Sequence, residues 1–159
     1  MRTETNMKLL KVVILLAVAA VLLAYCWVMP NMAESFAAAS PECRNMKLPW
    51  MIVIGATALP MLAAAVIGLN VVTNIQGGKC FTHGNARCIK YVAILAAADG
   101  GYFFLGNIVM LLIGMSHPGV MIISLIPSVM AFSLAVAFYA LSHLTEKAAL
   151  MQDDTDLTI

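Results

Sequence analysis

The 159-residue chain is 62 % hydrophobic and only 11 % charged, with a net charge of +1. About a quarter of the residues of a soluble domain are charged, so this composition excludes a soluble protein and indicates an integral membrane protein. The near balance of nine basic and eight acidic residues also excludes a nucleic-acid binder that works through bulk positive charge.

Four apolar segments are long enough to cross a bilayer as helices. About twenty apolar residues span roughly 30 Å of hydrocarbon, and a helix satisfies its own backbone in lipid. The sequence therefore predicts an all-α bundle of four transmembrane helices, forming one domain over residues 1–159 with a short C-terminal tail at 145–159. The spans are predicted at about 9–29, 50–75, 89–115 and 120–144.

The positions of the basic residues predict the orientation. Seven of the nine precede or open the first span, lie around the connection 76–88, or follow the fourth span. By the positive-inside rule, this connection and both termini are cytoplasmic. The loop 30–49 and the tight turn 116–119 then lie outside, and so short a turn makes the third and fourth helices antiparallel neighbours.

Asp99 is the one acidic residue within a predicted span, near the middle of the third helix. A carboxylate at that depth costs several kcal/mol unless it is paired, hydrated or protonated. One interpretation is a structural, protonated Asp99 that forms a hydrogen bond to the second helix, where Asn70, Thr73 and Asn74 share a face. The other is a site for a proton, an ion or a ligand.

Small residues and prolines bear on how the spans pack. Ala93, Ala97 and Gly101 repeat every four residues, a spacing that lets a neighbouring helix approach closely. Pro60 and Pro127 are expected to interrupt the second and fourth helices. Broken helices line sites in transporters, although proline also occurs in membrane helices that have no such role.

The four cysteines divide by compartment. Cys26 and Cys43 fall on the outer side, where they form a disulfide unless Cys26 lies too deep to reach its partner. Cys80, His83 and Cys88 match no common zinc module, so we predict no metal site. No catalytic motif is present, and we therefore expect no catalytic residue, no cofactor and no enzyme activity.

The connection between the second and third helices reads as a helix stop followed by a helix start. Gly77 and Gly78 end one helix, Thr82 is a natural N-cap for the next, and Phe81 precedes that cap. The helix stop and start do not explain why Asn85 stands at this position, followed by basic residues on the third helix.

The C-terminal segment carries three acids, followed by Leu157 and Ile159 at alternating positions. In an extended chain both apolar side chains would project from one side, as in a docking peptide. The alternative is a frayed and solvated tail.

Together the loop and the tail resemble a bacterial family of small four-helix membrane proteins, the domain of unknown function 2975. Two short motifs carry the resemblance, which covers nearly the whole chain in length and topology. Cys80 and Gly84 depart from the family pattern. The loop residues that match are Gly78, Phe81, Thr82, Asn85, Arg87 and Ile89. The tail residues that match are Asp153, Asp154, Asp156, Leu157, Thr158 and Ile159.

The family has no established activity. Its members look like proteins whose genes frequently lie beside genes for small Cro/C1-type helix-turn-helix regulators. The resemblance implies a non-enzymatic, multi-pass protein of a bacterial inner membrane that senses a condition and docks such a regulator through the loop and tail motifs. Such a protein contacts the lipid bilayer and no nucleic acid. The alternatives are a small transporter, channel subunit or immunity-type protein that uses Asp99, and a purely structural homo-oligomer.

Overall fold

The computed structural model describes residues 2–39, 41–77 and 81–156, with the side chains of 8–35, 37–38, 44–77 and 81–152. Over these residues the protein is entirely helical and has no strand. Four helices are long and apolar enough to cross a membrane, which confirms the predicted all-α bundle and makes this a multi-pass membrane protein. The orientation of its termini stays a prediction. The four candidate spans are Lys8–Ser35, Arg44–Gln76, His83–Leu112 and Pro118–Gln152.

The first span is one continuous helix that extends well past residue 29, where we expected it to end. Much of the predicted outer loop is therefore helical, and a 3-10 turn at Pro41–Met46 leads towards the second span. The first helix consists of α1 at Arg2–Leu23, a π-helical turn at Ala24–Val28 and α2 at Met29–Ala39.

Pro30 lies inside this continuous helix, directly after the π-helical turn, and does not end it. Membrane helices tolerate proline where local π-helical adjustments accommodate its missing N–H. Asn31 also supports the junction, since its Nδ2 donates to the Trp27 carbonyl at 2.7 Å. Near the far end of α2, Glu34 and Lys47 form an ion pair at 3.2 Å that links the first and second spans.

The second span is broken at Thr57 into α3 at Lys47–Ala56 and α4 at Ala58–Gln76. Pro60 cannot donate a hydrogen bond to the Ala56 carbonyl, and its ring crowds that carbonyl. At the break, the Thr57 N–H bonds to the carbonyl three residues back, that of Ile54, at 3.0 Å, whereas an α-helix uses the carbonyl four residues back. The predicted interruption at Pro60 is confirmed.

Pro127 does not interrupt the fourth span, because α6 continues unbroken over Pro118–Asp156. Membrane helices tolerate proline where neighbouring helices and local adjustments support the backbone. Ser124 and Ser128, on either side of Pro127, are both buried. The helix is thus packed against its neighbours directly before and after the proline.

The third span, α5 at His83–Leu112, packs most extensively against α6. Residues 113–117 join the two helices, which confirms that they are antiparallel neighbours. Gly114 has a φ of +72°, and the Met115 N–H donates to the Met110 carbonyl at 2.9 Å. This glycine-capped ending closes α5 three residues before the predicted boundary.

The close approach to α6 occurs at Gly100, whereas the four-residue repeat predicted Gly101. A Cβ added to Gly100 would lie 2.9 Å from the Ala131 Cβ, whereas one added to Gly101 would have nothing within 4 Å. The contact residues of α5 recur every seven positions, as in two long antiparallel helices that cross at a shallow angle. Those buried at this spacing are Ala86, Ala93, Gly100 and Asn107.

The outer surface of the bundle is apolar. No residue is buried in the most apolar part of the first span, which packs mainly on α4. Leu16, Ile122 and Val136 are examples of large apolar side chains that are more than half exposed. Such a surface suits contact with lipid.

Candidate functional site

A cavity of about 530 Å³ lies between the four spans and contains Asp99 in its wall. Pro60 and Pro127, the two prolines that were expected to interrupt spans, also line it. Features that are far apart in the sequence therefore meet at one place in the bundle. The other walls are largely apolar and include the aromatic rings of Phe103 and Phe138.

The break in the second span helps to leave this space open. Thr57 and Pro60 are both in the cavity wall, together with residues before and after the break. Small side chains occupy facing positions, with Ala64 on α4 and Ala131 on α6. A bent helix opposite small residues leaves a volume that the neighbouring side chains do not fill.

A pair of hydroxyl groups forms the polar part of one wall. Thr57 Oγ1 donates to the Ile54 carbonyl at 2.6 Å. Since the one Thr57 hydroxyl hydrogen is used there, the Tyr25 hydroxyl donates to Thr57 Oγ1, also at 2.6 Å. Tyr25 lies in the π-helical turn of the first span, and such turns are frequent at functional sites.

The Asp99 carboxyl group is partly enclosed by protein. Its Oδ1 atom is fully buried and has no hydrogen-bond partner among the described residues. Asp99 is also the one acidic or basic side chain in the cavity wall. The site is thus a half-open apolar pocket with one charge-bearing group and one pair of hydroxyl groups.

The polar residues expected to bond with Asp99 lie elsewhere. Asn74 Nδ2 donates to Asn85 Oδ1 at 3.0 Å, Thr73 Oγ1 donates to the Leu69 carbonyl at 2.8 Å, and Asn70 is exposed. The predicted hydrogen bond from this face to Asp99 is therefore wrong.

The antiparallel register of α4 and α5 explains the difference. Asn74 and Asn85 face each other near the connecting loop. Asp99 lies fourteen residues further along α5, and the same number of residues back along α4 from Asn74 reaches Pro60. Counting residues outward from the loop along both helices would have placed Asp99 level with Pro60. Thr57, three residues before that proline, is the polar residue that the sequence analysis missed.

At the loop end, Thr82 caps α5 as predicted, with the Asn85 N–H donating to Thr82 Oγ1 at 3.2 Å. Asn85 is only 1 % exposed and ties α5 to Asn74. A buried side chain is not available to a partner, so Asn85 has a structural role here. Phe81 and Arg87 are exposed.

The C-terminal segment is helical as far as the structure describes it. α6 extends to Asp156, so the segment that carries the three acids is helical and neither extended nor frayed. Thr145 and Ala149 are buried, and this packing propagates the helix beyond the predicted span. The side chains of the three acids, and all of residues 157–159, lie outside the described residues.

Cys26 carries a free, exposed thiol in the structure. This does not agree with a disulfide to Cys43, and the reason is geometric. The first helix continues to Ala39, so Cys26 lies more than three turns before the end of the helix. The side chain of Cys43 and the whole of Cys80 lie outside the described residues.

The comparison with protein families agrees with the loop and tail motifs. The family described as "Protein of unknown function (DUF2975)" matches residues 31–159. No curated protein and no solved structure matches the chain. The matched region contains the second, third and fourth spans, the Asp99 carboxyl group and both motifs, and on this match the chain belongs to the DUF2975 family.

Proposed function

We propose that this chain is a non-enzymatic regulatory protein of a bacterial inner membrane, and that its loop end holds a small helix-turn-helix regulator. The observation that carries the proposal is the arrangement at that end of the bundle. Gly100 lies against Ala131, so in the antiparallel pair Asn85 is level with about residue 146 of α6. The α6 helix thus continues about eight residues beyond the level at which α5 starts, to Asp156.

The loop end combines apolar and charged groups, as a docking surface does. Phe81, Leu150 and Met151 are each more than half exposed, and we call these three residues the loop-end patch. Apolar side chains supply most of the affinity in a protein interface, with roughly 1.5–3 kcal/mol for each one that becomes well buried.

The partner's chemistry follows from the acids near the C-terminus. Asp153, Asp154 and Asp156 give this segment negative charge, which speeds encounter with a basic surface. The DNA-binding face of a helix-turn-helix protein is such a surface. Holding that protein at the membrane and away from DNA needs no catalytic residue.

Crosslinking in native membranes tests this function. The full-length protein should capture a protein with a helix-turn-helix domain. Phe81→Ser combined with Leu150→Ser should abolish the capture. Leu48→Ser is the matched control, because Leu48 is 68 % exposed near the opposite end of the bundle.

Two results contradict the proposal. One is that the captured protein has no DNA-binding domain. The other is that the double variant captures its partner as efficiently as the unmodified protein does.

The cavity favours a second candidate function, a small transporter. Its enclosed carboxyl group and the broken second span match the general design of transport sites. In a cellular assay, a transporter would lose function in Asp99→Asn and keep it in the loop-end double variant. A docking protein that does not use the cavity would keep function in Asp99→Asn and lose it in the double variant.

A further inference from the structure

We propose that the Asp99 cavity binds a small amphipathic organic cation, which carries one positive charge on an apolar body. The proposal deepens the cavity-based candidate function and stands apart from the docking of a regulator, because the cavity and the loop-end patch share no residue. It holds whether the bound cation is only sensed or is also moved.

The size and lining of the cavity define the body of the ligand. A volume of about 530 Å³ is within the range of roughly 300–1,000 Å³ that is typical of sites for drug-sized molecules. Leu95, Leu134 and two phenylalanine rings form apolar walls. The bulk of the ligand must therefore be apolar as well.

The charge of the ligand follows from Asp99. Among the residues that line the cavity, no lysine, arginine or histidine accompanies this carboxyl group, and its buried Oδ1 has no hydrogen-bond partner in the described part of the chain. A nearby positive charge stabilises a carboxylate in low dielectric. An ammonium or phosphonium centre on the ligand supplies it.

Aromatic groups around the cavity reinforce the preference for a cation. Tyr25, Phe103 and Phe138 all contribute to the walls, and aromatic rings attract a positive charge placed over their faces. An anion of the same shape would gain nothing from the rings and would be repelled by the carboxylate.

A metal ion fits this site poorly. Hard cations such as Ca²⁺ take six to eight oxygen ligands, whereas one carboxyl group lines the cavity. The nearby hydroxyl groups of Tyr25 and Thr57 already bond to each other. The single charge and the apolar walls suit a bulky organic ion.

The first test compares two probes that have the same shape and opposite charge. The full-length protein in phosphatidylcholine nanodiscs is dialysed against tetraphenylphosphonium or tetraphenylborate, and binding to empty nanodiscs is subtracted. We expect saturable binding of the phosphonium cation and binding of the borate anion that is weaker by about tenfold or more. Equal affinity for the two probes, or no saturable phosphonium binding, overturns the proposal.

The second test places the binding in the cavity. Asp99→Asn should weaken phosphonium binding about tenfold or more, and Asp99→Glu should retain it. Glu146→Gln removes a carboxylate that is exposed on α6, and it should leave binding unchanged. Phosphonium binding to folded Asp99→Asn at the affinity of the unmodified protein also overturns the proposal.

A third variant keeps the carboxylate and fills the space. Ala64→Phe places a ring where a methyl group now lines the cavity, and it should abolish saturable phosphonium binding. Elution as one symmetric peak in size-exclusion chromatography confirms that each variant is folded. If Asp99→Asn does not fold, the comparison of the two probes and the Ala64→Phe variant decide the outcome. Phosphonium binding that is retained in folded Ala64→Phe lies outside the cavity and overturns the proposal.

Discussion

Two adjacent glycines of α5 show how sharply the surroundings of a residue change around a helix. At Gly100 the neighbouring helix is so close that an added Cβ would lie 2.9 Å from the Ala131 Cβ. At Gly101 the same atom would meet nothing within 4 Å. Consecutive residues point about 100° apart around a helix, so one position faces α6 and the next does not.

These two positions form a matched pair for measuring the helix contact. Gly100→Ala should destabilise the protein by about 1–3 kcal/mol, because the methyl group forces α5 and α6 apart. Gly101→Ala should leave stability unchanged or raise it by up to about 1 kcal/mol. Reversible unfolding in mixed micelles measures both, and an equal loss in the two variants would mean that α6 does not close on Gly100.

Asn85 offers a second test at the same scale, because its role has two competing explanations. As a structural residue, Asn85→Ala should lower the free energy of unfolding by about 1 kcal/mol, since it leaves the Asn74 amide without its acceptor. Asn70→Ala, at an exposed position of the same helix pair, is the control and should cost little. Unchanged stability with loss of a cytoplasmic partner would make Asn85 a docking residue instead.

Among the elements, α6 is the one that extends furthest beyond its predicted span. It continues beyond the start of α5 as helix, up to Asp156, and its buried residues Thr145 and Ala149 anchor the extension. The last described side chain is that of Gln152. Both of these anchoring residues precede the three terminal acids.

Removal of residues 153–159 should consequently leave the bundle intact. We expect normal insertion and a melting temperature within the error of the full chain, because the deletion retains all four spans and the buried anchors Thr145 and Ala149. Association with a helix-turn-helix partner should weaken, since the acidic segment no longer steers encounter. Partner binding at unchanged rate and affinity would assign docking to the loop-end patch alone.

The elements differ in how far the sequence could predict them. The four spans were predictable because hydropathy depends only on the local sequence. The break at Pro60 was predictable because a proline inside a helix removes a backbone hydrogen bond. The continuation of the first helix past Pro30 was not, because proline usually ends a helix and the π-helical turn that precedes it here has no clear signal in the sequence. The contact of Tyr25 with Thr57 in the cavity wall was unpredictable for a third reason: these residues are 32 positions apart, and only the packing of two spans brings them together.

For the whole molecule, the distribution of basic residues predicts which side of the membrane each end occupies. Seven of nine lie at the termini or around the connection between α4 and α5, which favours a cytoplasmic location for both. A reporter enzyme that is active only outside the cytoplasm, fused after Ile159, should therefore give no signal. The same reporter inserted after Ser116, in the turn between α5 and α6, is the positive control, and the opposite pattern would invert the topology.

The π-helical turn at Ala24–Val28 gives the first span an unusual tolerance to shortening. A π-turn holds one residue more than an α-turn of similar rise, so the loss of one residue there restores regular winding and keeps both halves of the helix on their original faces. Elsewhere in the same helix, a one-residue deletion rotates everything beyond it by about 100° relative to its neighbours. Deletion of Cys26, whose side chain is exposed, should therefore yield folded protein in membranes, whereas deletion of Ala19 should sharply reduce the yield, as measured by fluorescence-detected size-exclusion chromatography.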